Sequence, residues 1–404
     1  MHKKTLAAAV SAALCIPGAA LAATEFGSGD NVVELYGRAY PEIIVPHGSG
    51  ATDAGAAVAT FAGKPTGDNG IIRRTEMSSS NSRLGVRGHE RLGGDLQAIF
   101  QLETEFHLDS NDSAFAGRNS FVGLKDKRWG TVKLGRMDTP FKTYGDDISF
   151  LSVGSGNFVS TSNVLRKTGF GTNSASSFHL RRQNAVQYES PVWGGLDFAV
   201  QYSTNETDTS SRKAHVWSAG VEYARGPLKA SLAYEEHWDL FGLSRNVPSA
   251  MSNFNDPAVH SKDKAVQAML EYKINKVHRI EADWIQKKYD EDATLPGRAR
   301  SYKNDAYELI WDARWSKSWR TAVQYIWATK GTCSRVDAEC NTDGLNGSQL
   351  QAGVSYYFSP RTYVFFMGAL LKNGFSSRFN NSDLQDPSVG EDIMQWALGI
   401  NHSF

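Results

Sequence analysis

Charged residues recur at alternating positions of this sequence. Side chains with this spacing could form a charged surface that selects ions by their charge. In the stretch "VVELYGR" (32–38), apolar or small residues alternate with Glu34, Tyr36 and Arg38. Successive residues of a β-strand point to opposite faces, so these three side chains share one face. The same count places five basic residues on a common face, namely Arg38, Arg83, Arg87, Lys133 and Arg181. Opposed charges across a narrow water-filled gap screen permeating ions by their charge.

Negative charge that could oppose these bases lies in a long polar segment, 141–182. Its only carboxylates are Asp146 and Asp147. We therefore predict a pore constriction with five bases on the wall and two carboxylates on this segment. The alternative is that each charge is an independent, solvated lining residue. Arg136 has the outward parity of its strand and joins the set only if Gly135 forms a bulge.

Two carboxylates, Glu103 and Glu105, lie two residues apart on one predicted strand face. Paired carboxylates can hydrolyse glycosides, but neighbours on one strand face more simply line a polar interior. The stretches "GFGTN" and "GSG" lack the lysine and the strand–helix context of a phosphate-binding loop. No G-x-S-x-G or H-E-x-x-H motif occurs. We expect no enzyme activity, no metal site and no cofactor.

The elements that position these residues are strands. In "KAVQAMLEYKI" (264–274) one face carries Val266, Ala268, Leu270, Tyr272 and Ile274, whereas Gln267 and Glu271 lie on the other. Stretches of this kind run for about ten residues, which suits a tilted strand that crosses a membrane. Beyond the N-terminal segment there is no apolar run long enough for a membrane-spanning helix.

Connections between the strands alternate in length. Seven short turns are predicted, near residues 93–94, 126–130, 191–195, 225–227, 275–277, 316–318 and 359–360. Eight long polar loops are predicted, near 45–76, 109–117, 141–182, 204–213, 240–263, 290–304, 330–348 and 373–391. This pattern predicts an all-β, sixteen-stranded antiparallel transmembrane barrel with short turns inside the cell envelope and long loops outside.

An aromatic girdle is expected near the strand ends on the outer face of such a barrel. The predicted members are Tyr188, Trp217, Tyr223, Trp284, Trp311, Trp315, Trp327, Tyr363 and Trp396. The other reading of the alternation, a soluble β-sandwich, would need a second sheet to cover the apolar face of every strand.

The N-terminus has the pattern of an export signal. "MHKK" is basic, "TLAAAVSAALCI" is apolar, and Ala20-Leu21-Ala22 resembles a cleavage site. We expect residues 1–22 to be a signal peptide and 23–404 to form one barrel domain. The chain has 43 basic and 43 acidic residues, and loss of Lys3 and Lys4 would leave 41 against 43. This balance gives no reason to expect nucleic acid as a partner.

Two cysteines, Cys333 and Cys340, follow the export signal with six residues between them. Such a pair in an exported chain is more often a disulfide than a metal site. The terminal stretch "WALGINHSF" alternates large and small residues up to Phe404. A closed barrel pairs its first and last strands, so we expect this stretch to be a strand with Phe404 facing lipid.

Five stretches in order along the chain resemble the Gram-negative general porin family, close to its neisserial and betaproteobacterial branch. They are "VVELYGR" (32–38), "SSSNSRLGVRGHERLGGDLQAIFQLETEF" (78–106), "RNSFVGLKDKRWGTVKLGR" (118–136), "RRQNAVQYESPVWGGLDFAVQYS" (181–203) and "WALGINHSF" (396–404). The resemblance implies a homotrimer of sixteen-stranded barrels in the outer membrane, each barrel enclosing a channel. It also implies that the third outside loop folds inward to narrow the channel.

Further expectations come with the resemblance. A terminal phenylalanine, here Phe404, is in such porins part of the signal that the barrel-assembly machinery reads. Contacts with outer-membrane lipid and lipopolysaccharide, and passage of small hydrophilic solutes and ions, would follow. The family's inward loop is usually acidic, whereas 141–182 has only two carboxylates, so we predict a weak anion preference. The rival functions are a substrate-specific or adhesion-related barrel and, less in keeping with the sequence, a barrel enzyme.

Overall fold

A computed structural model describes residues 23–52, 68–110, 113–145, 148–153, 157–171, 174–205, 211–382 and 384–404. Nearly all its regular structure is antiparallel β-sheet, in twenty-one strands. The strands of the first half are β1 (Ala23–Ser28), β2 (Asn31–Ala39), β3 (Glu42–Ser49), β4 (Glu76–Ser78), β5 (Arg83–Gly93), β6 (Leu96–Phe106), β7 (Ser113–Ala114), β8 (Ser120–Asp126), β9 (Gly130–Asp138), β10 (Arg181–Glu189) and β11 (Leu196–Thr204). Within the described residues no helix has the length and apolarity needed to cross a membrane.

The second half adds ten strands with longer, more regular pairing. They are β12 (His215–Arg225), β13 (Leu228–Trp238), β14 (Ser261–Lys273), β15 (His278–Glu291), β16 (Ala299–Arg314), β17 (Trp319–Ala328), β18 (Thr332–Arg335), β19 (Gly347–Tyr357), β20 (Thr362–Asn373) and β21 (Asp392–Ser403). One short helix, α1 (Pro140–Thr143), and three 3₁₀ turns (Phe150–Ser152, Thr161–Asn163 and Ser174–Ser176) lie between β9 and β10.

Sixteen crossing positions close into a barrel, as the alternation predicts. The first position is split at Tyr40 and Pro41, where proline supplies no backbone donor. Its lower part, β2, pairs with β5, and its upper part, β3, pairs with β21. The three shortest strands, β4, β7 and β18, pair with β3, β6 and β16 and extend the sheet beyond the barrel.

The first described strand and the C-terminal residue meet on β2. Phe404 and Gly37 exchange two backbone hydrogen bonds, of 2.8 and 3.0 Å, and Ala23 of β1 pairs with Tyr36 next to them. The ring of Phe404 lies against Gly37 on the outer face, where a Cβ on residue 37 would be only 2.4 Å from the ring. Glycine is therefore required at position 37 to seat the last side chain of the barrel.

The two faces of each strand differ in chemistry as expected. On β14, Leu270 and Tyr272 are exposed outside, whereas Gln267 and Glu271 are buried on the inner face. An outer aromatic row follows the register Trp284–Tyr307–Trp327 across β15, β16 and β17. Tyr363, predicted as part of the girdle, is different: it is buried on the inner face, where its hydroxyl accepts a hydrogen bond from Arg38.

Candidate pore constriction

The described residues of the connection between β9 and β10 lie inside the barrel and pack on one wall. Lys287 Nζ of β15 donates to the Leu165 carbonyl oxygen at 2.6 Å. Gln349 and Gln351 of β19 donate to the carbonyls of Phe158 and Val159 at 3.0 and 2.7 Å. Because these three side chains point inward, the loop occupies the lumen beside β15 and β19. We call residues 140–178 the inserted loop and the inner face of β12–β19 the docked wall.

A chain of buried amides runs across the docked wall and continues towards β21. Gln324 donates to Glu308, Gln351 donates to Gln324, and Gln349 donates to Gln351. Asn381 then donates to Gln349, and Gln395 donates to Asn381. An amide can donate and accept together. The amides of this chain therefore hydrogen-bond one another and still donate hydrogen bonds to carbonyls of the inserted loop.

Aromatic packing fixes the returning part of the inserted loop. The ring of Phe178 stacks on that of His237 with centroids 4.4 Å apart. Phe170 packs edge-on against Tyr302 at 4.8 Å and against Tyr289 at 6.0 Å. All of these residues are buried. The loop therefore has its own apolar core with the barrel wall, in addition to its hydrogen bonds.

The turn at the centre of the inserted loop is held from two sides. Leu151 and Ser152 both have left-handed backbones, with φ of 46° and 66°. Arg38 Nη1 donates to the Ser152 carbonyl oxygen at 2.9 Å, and Arg320 donates to the Ser152 hydroxyl. The side chain of Leu151 lies over Gly353 of β19, so close that a Cβ there would be 2.7 Å away. Such a backbone persists only where its surroundings determine it.

Opposite the docked wall, ion pairs, several of them partly exposed, line the inner faces of β2, β5, β6, β9 and β10, which we call the open wall. Arg87 contacts Glu34 at 2.6 Å, with both side chains about a quarter exposed. Lys133 contacts Glu189 at 2.6 Å. Arg83 lies 3.9 Å from Glu103. Solvent-accessible space in the lumen therefore follows this wall.

Three further bases, Arg118, Arg181 and Lys142, complete clusters on the open wall. Arg118 contacts Glu103 at 2.6 Å and Glu105 at 3.5 Å, so one guanidinium joins both carboxylates. Arg181 contacts Asp138 at 3.1 Å, and Lys142 of α1 contacts the same carboxylate at 2.7 Å. The Glu103–Glu105 pair is thus held by arginine as a lining element.

The predicted site residues fall into three groups. Arg83, Arg87, Lys133 and Arg181 line the open wall, each beside a carboxylate. Arg38 differs from the expectation of a hydrated charge, because it is buried and bonds Asn401, Tyr363 and Ser152, all neutral. Asp146 and Asp147 lie outside the described residues.

Arg136 donates to the Gly117 carbonyl oxygen at 2.8 Å and to Gln183 at 3.3 Å. The β8–β9 register continues without a shift across Gly135. The irregularity lies instead on β10, between Arg182 and Ala185. Arg136 therefore extends towards the neighbouring loop and strand at the outer end of β9.

Buried bases sit at the foot of the inserted loop. Burial lowers the pKa of Lys142 to about 8, and the carboxylate of Asp138 opposes that shift. Burial also lowers the pKa of His179 well below its usual range, with the positive charge of Lys142 adding to the effect. Arg166 donates to Gln267 at 3.1 Å and contacts His179 at 2.7 Å. The loop thus brings positive charge into the lumen.

Sequence reasoning missed Arg118, Lys142 and the amide chain. Arg118 lies just before β8, in the quoted stretch 118–136. Its charge, opposite in sign to that of Glu103, is the feature of the sequence that could have indicated the pair. Lys142 follows Asp138 by four residues, but Asp138 ends β9 and Lys142 lies in α1, so the pairing depends on the turn between the two elements and had no helical signal in the sequence. The amide chain had no local signal, because its members come from five distant segments.

Three buried carboxylates, Glu281, Asp283 and Glu308, have oxygens within 4.8 Å of one another on the docked wall. Oxygen donors of this kind suit a hard cation. Glu281 already accepts from the Ile148 backbone N–H at 2.9 Å, and Glu308 accepts from Gln324. These two carboxylates therefore serve to hold the inserted loop and the amide chain.

Cys333 and Cys340 are joined by a disulfide with Cα atoms 5.8 Å apart. Cys333 lies in β18, which pairs with β16 above the barrel. Both cysteines pack against the buried residues that surround Tyr302 and Phe379. The bond thus closes a short loop at the outer mouth of the barrel.

Known proteins resemble this chain over most of its length. The Gram-negative porin family matches residues 6–375. The major outer membrane protein P.IB of Neisseria meningitidis serogroup B is 30% identical over 310 residues, covering 75% of this chain and 80% of that protein. An outer membrane porin protein of Bordetella pertussis is 29% identical over 172 residues, and this chain spans 42% of its length.

Solved structures share the fold. The anion-selective porin from Comamonas acidovorans superposes with a TM-score of 0.68 at 23% identity, covering 93% of this chain and all of that chain. OmpT of Vibrio cholerae, in a structure described as a trimer form, superposes with a TM-score of 0.61 at 15% identity, covering 93% of this chain and all of that chain.

Proposed function

The chain belongs to the Gram-negative porin family, and from that premise we propose that it is a trimeric channel with a weak anion preference. It is a channel of the Gram-negative outer membrane for small hydrophilic solutes and ions. The observation that carries the proposal is the contrast between the two walls of the lumen. The inserted loop covers the docked wall, and ion pairs that stay partly exposed, such as Arg87–Glu34, line the open wall, where ions would pass.

The charge of the open wall supports the anion preference. Its ion-pair clusters hold six bases: Arg83, Arg87, Arg118, Lys133, Lys142 and Arg181. They hold five carboxylates: Glu34, Glu103, Glu105, Asp138 and Glu189. An excess of one positive charge favours anions modestly, and salt with a Debye length of about 8 Å near 0.15 M weakens the effect.

Reversal potential across a planar bilayer tests this proposal, under a tenfold KCl gradient at low ionic strength. We expect the wild type to prefer Cl⁻ slightly and the variant Arg83→Gln/Arg87→Gln to shift towards K⁺. Lys127→Gln is the matched control, because Lys127 pairs with Asp95 on a short turn outside the lumen. A cation-selective wild type, or a double variant that behaves like the control, would refute the constriction.

Trimer formation is the second part of the proposal. The family and the Vibrio structure described as a trimer form support it. Gly37 gives no independent support for a contact between chains, because the ring of Phe404 already explains its small size. Unheated detergent gels combined with light scattering should show a particle of three chains; a monomer by both methods would contradict the proposal.

Phe404 is proposed as a recognition signal for the barrel-assembly machinery. It is partly exposed on the outer face, so its burial against Gly37 contributes a few kcal/mol at most. Deleting Phe404 should therefore reduce the amount of porin in the outer membrane far more than it changes the conductance of the channels that form. Normal abundance of the deletion variant, measured in outer-membrane fractions, would exclude the signal.

A further inference from the structure

The inner face of β8, which lies between β6 and β9, has an apolar stretch although it faces the lumen. Leu102 and Val122 are exposed on the outer face, so Ile99 and Phe121 on the same two strands point inward. Both inward side chains are partly exposed. Inward apolar side chains of the docked wall, such as Ile310, are fully buried. Ile99 and Phe121 therefore present apolar surface to the channel.

A recess lies between Ile99 and the strand β9. Gly123 pairs with Ile99 on one side and with Lys133 on the other, and it has no side chain to fill the space between them. A Cβ on residue 123 would lie 2.4 Å from the Val132 carbonyl oxygen, so the close approach of the backbones requires glycine. The same Cβ would lie 3.3 Å from Lys133 Cγ, so the aliphatic stem of Lys133 forms the second side of the recess. We call the space bordered by Ile99, Phe121, Gly123 and Lys133 the apolar recess.

The ring of Phe121 closes one end of the apolar recess. Phe121 is the inward residue of β8 that precedes Gly123, about 7 Å away along the strand. Lys133 Nζ lies 4.8 Å from the centroid of the Phe121 ring and contacts Glu189 at 2.6 Å. Glu189 also accepts a hydrogen bond from Gln187 Nε2 at 2.7 Å. The ring is thus held from the β9 side, and the carboxylate of Glu189 is already engaged by two donors.

A lysine lies at the other end of the apolar recess, next to a short turn. Lys125 is the inward residue of β8 that follows Gly123, about 7 Å further along the strand. It is partly exposed and makes no ion pair with any residue in the described part of the chain. Its register neighbours are neutral, Gln97 on β6 and Thr131 on β9. The recess therefore combines apolar sides with a positive charge at one end.

This combination suits a small anion with an apolar body. A carboxylate accepts strong hydrogen bonds from an ammonium group such as that of Lys125. A ring attached to the carboxylate packs favourably on an aromatic and an aliphatic side chain, here Phe121 and Ile99. Acetate offers the charge without the ring, and chloride has no apolar body. The apolar recess therefore distinguishes between anions of equal charge.

We propose that the apolar recess is a transient binding site for monocarboxylates with an aromatic or other compact apolar body. The carboxylate contacts Lys125, and the apolar body lies over Gly123 between Ile99 and Lys133, against the ring of Phe121. A solute held there lies in the lumen, on the path of permeating ions, and reduces their current while it is bound. The inference rests on the proposed anion-preferring channel and names a class of solute for it.

The test adds benzoate, acetate or benzyl alcohol to planar bilayers that contain the folded porin, and measures the block of the single-channel KCl current. We expect the half-blocking concentration of benzoate to be about fivefold lower than that of acetate, because only benzoate packs a ring in the recess. Benzyl alcohol has the ring without the charge and should block less than benzoate at the same concentration.

Two variants remove apolar surface from the recess without adding charge, Phe121→Gln and Ile99→Gln. Each should bring the half-blocking concentrations of benzoate and acetate to within about twofold of each other. Val122→Ala is the matched control, because Val122 belongs to the same strand as Phe121 but is exposed on the outer face. Lys125→Gln should weaken the block by both carboxylates, whereas Lys127→Gln, on the adjacent short turn, should leave both values unchanged.

Equal block of the wild type by benzoate and acetate would overturn the proposal, as would an unchanged benzoate preference in both apolar variants. Equal block by benzyl alcohol and benzoate would also overturn it, because the charge of Lys125 would then play no part. Heat-modifiable migration on gels confirms folding, and either of the two apolar variants is sufficient for the comparison. The reversal potential of the same preparations in KCl tests the anion preference separately: a chloride-preferring channel without a benzoate preference would refute the recess alone.

Discussion

The docked wall and the open wall of the lumen use the same inward strand positions for different purposes. On the docked wall Lys287, Gln349 and Gln351 are completely or almost completely buried, and their partners are backbone carbonyls of the inserted loop. On the open wall Arg87 and Glu34 remain about a quarter exposed and pair with each other. Polar lining therefore does not by itself indicate contact with permeating solute.

The difference follows from desolvation. A polar group that loses water needs a fixed hydrogen-bond partner, and the irregular backbone of the inserted loop supplies carbonyls at a fixed distance. Amides suit that role because they carry no charge to desolvate. Ion pairs that remain hydrated have only a small desolvation cost, and their electric field still acts on ions in the lumen. The loop is thus held mainly by the docked wall, and charge selection is left to the open wall.

The largest effect should come from a buried ion pair on the docked wall. Arg320 contacts Asp312 at 2.7 Å, and both side chains are about 5% exposed or less. Arg320→Met would leave Asp312 with Arg279 as its remaining base. It should lower the free energy of unfolding by about 3 kcal/mol, near the lower end expected for a broken buried pair.

Arg87→Gln on the open wall is the matched comparison, since it also removes an arginine from a carboxylate. Its cost should be about 1 kcal/mol or less, as for a hydrated pair. Denaturant titration of the folded porin in detergent measures both values. Equal losses would mean that the two walls do not differ in hydration.

Much of this contrast could be predicted from the sequence, because alternation decides which side chains point inward. The outward position of Leu270 and the inward position of Gln267 follow from the two-residue alternation of a strand alone. The number of strands, sixteen, follows from the same pattern. The glutamine–loop contacts could not be predicted, since Gln351 meets Val159 across 192 residues. Nothing local distinguishes a glutamine that faces water from one that faces a loop.

Two predictions differ from the structure because the sequence does not show the surroundings of the residues concerned. The loop predicted at 290–304 is shorter, since β16 begins at Ala299 and pairs Lys303 with Lys288. The first residues of β16 are polar like those of a loop, because this part of the strand does not contact the lipid hydrocarbon. Arg38 was expected to be hydrated, but the turn at Ser152 covers it, and that contact depends on the path of the inserted loop.

A second test loosens the inserted loop. Gln349→Ala/Gln351→Ala removes the donors to Phe158 and Val159 and leaves two carbonyls unsatisfied. The docking of the loop should weaken by about 2–4 kcal/mol. Single-channel recordings should then show larger conductance and more current noise, because the loop would leave the docked wall for part of the time.

Gln395→Ala is the control for that test, because Gln395 belongs to the same amide chain but donates to Asn381. Its recordings should resemble those of the wild type. If the double variant keeps a quiet, unchanged current, other contacts such as that of Phe178 with His237 are sufficient to hold the loop.

A smaller effect should appear with pH. Burial lowers the pKa of Lys142 to about 8, so its charge is lost between about pH 7 and 9. Over this range the reversal potential should move towards cations. The unfolded chain holds its lysine proton up to about pH 10.4, so this group also makes the free energy of unfolding rise between about pH 8 and 10. Lys142→Met should remove both changes, and persistence of the pH response in that variant would assign it to another group.

The smallest effect on the barrel should come from the disulfide at its outer mouth. Cys333 and Cys340 enclose a short loop, so chain entropy gives the bond at most about 2–3 kcal/mol. That stabilisation is local, because β16 pairs with β15 and β17 independently of β18. Reduction should speed proteolysis near residues 333–340 and leave conductance unchanged. Cys333→Ser/Cys340→Ser should match the reduced wild type. If reduction instead altered the current, the outer loops would have to support the inserted loop, and the docked wall alone would not explain its position.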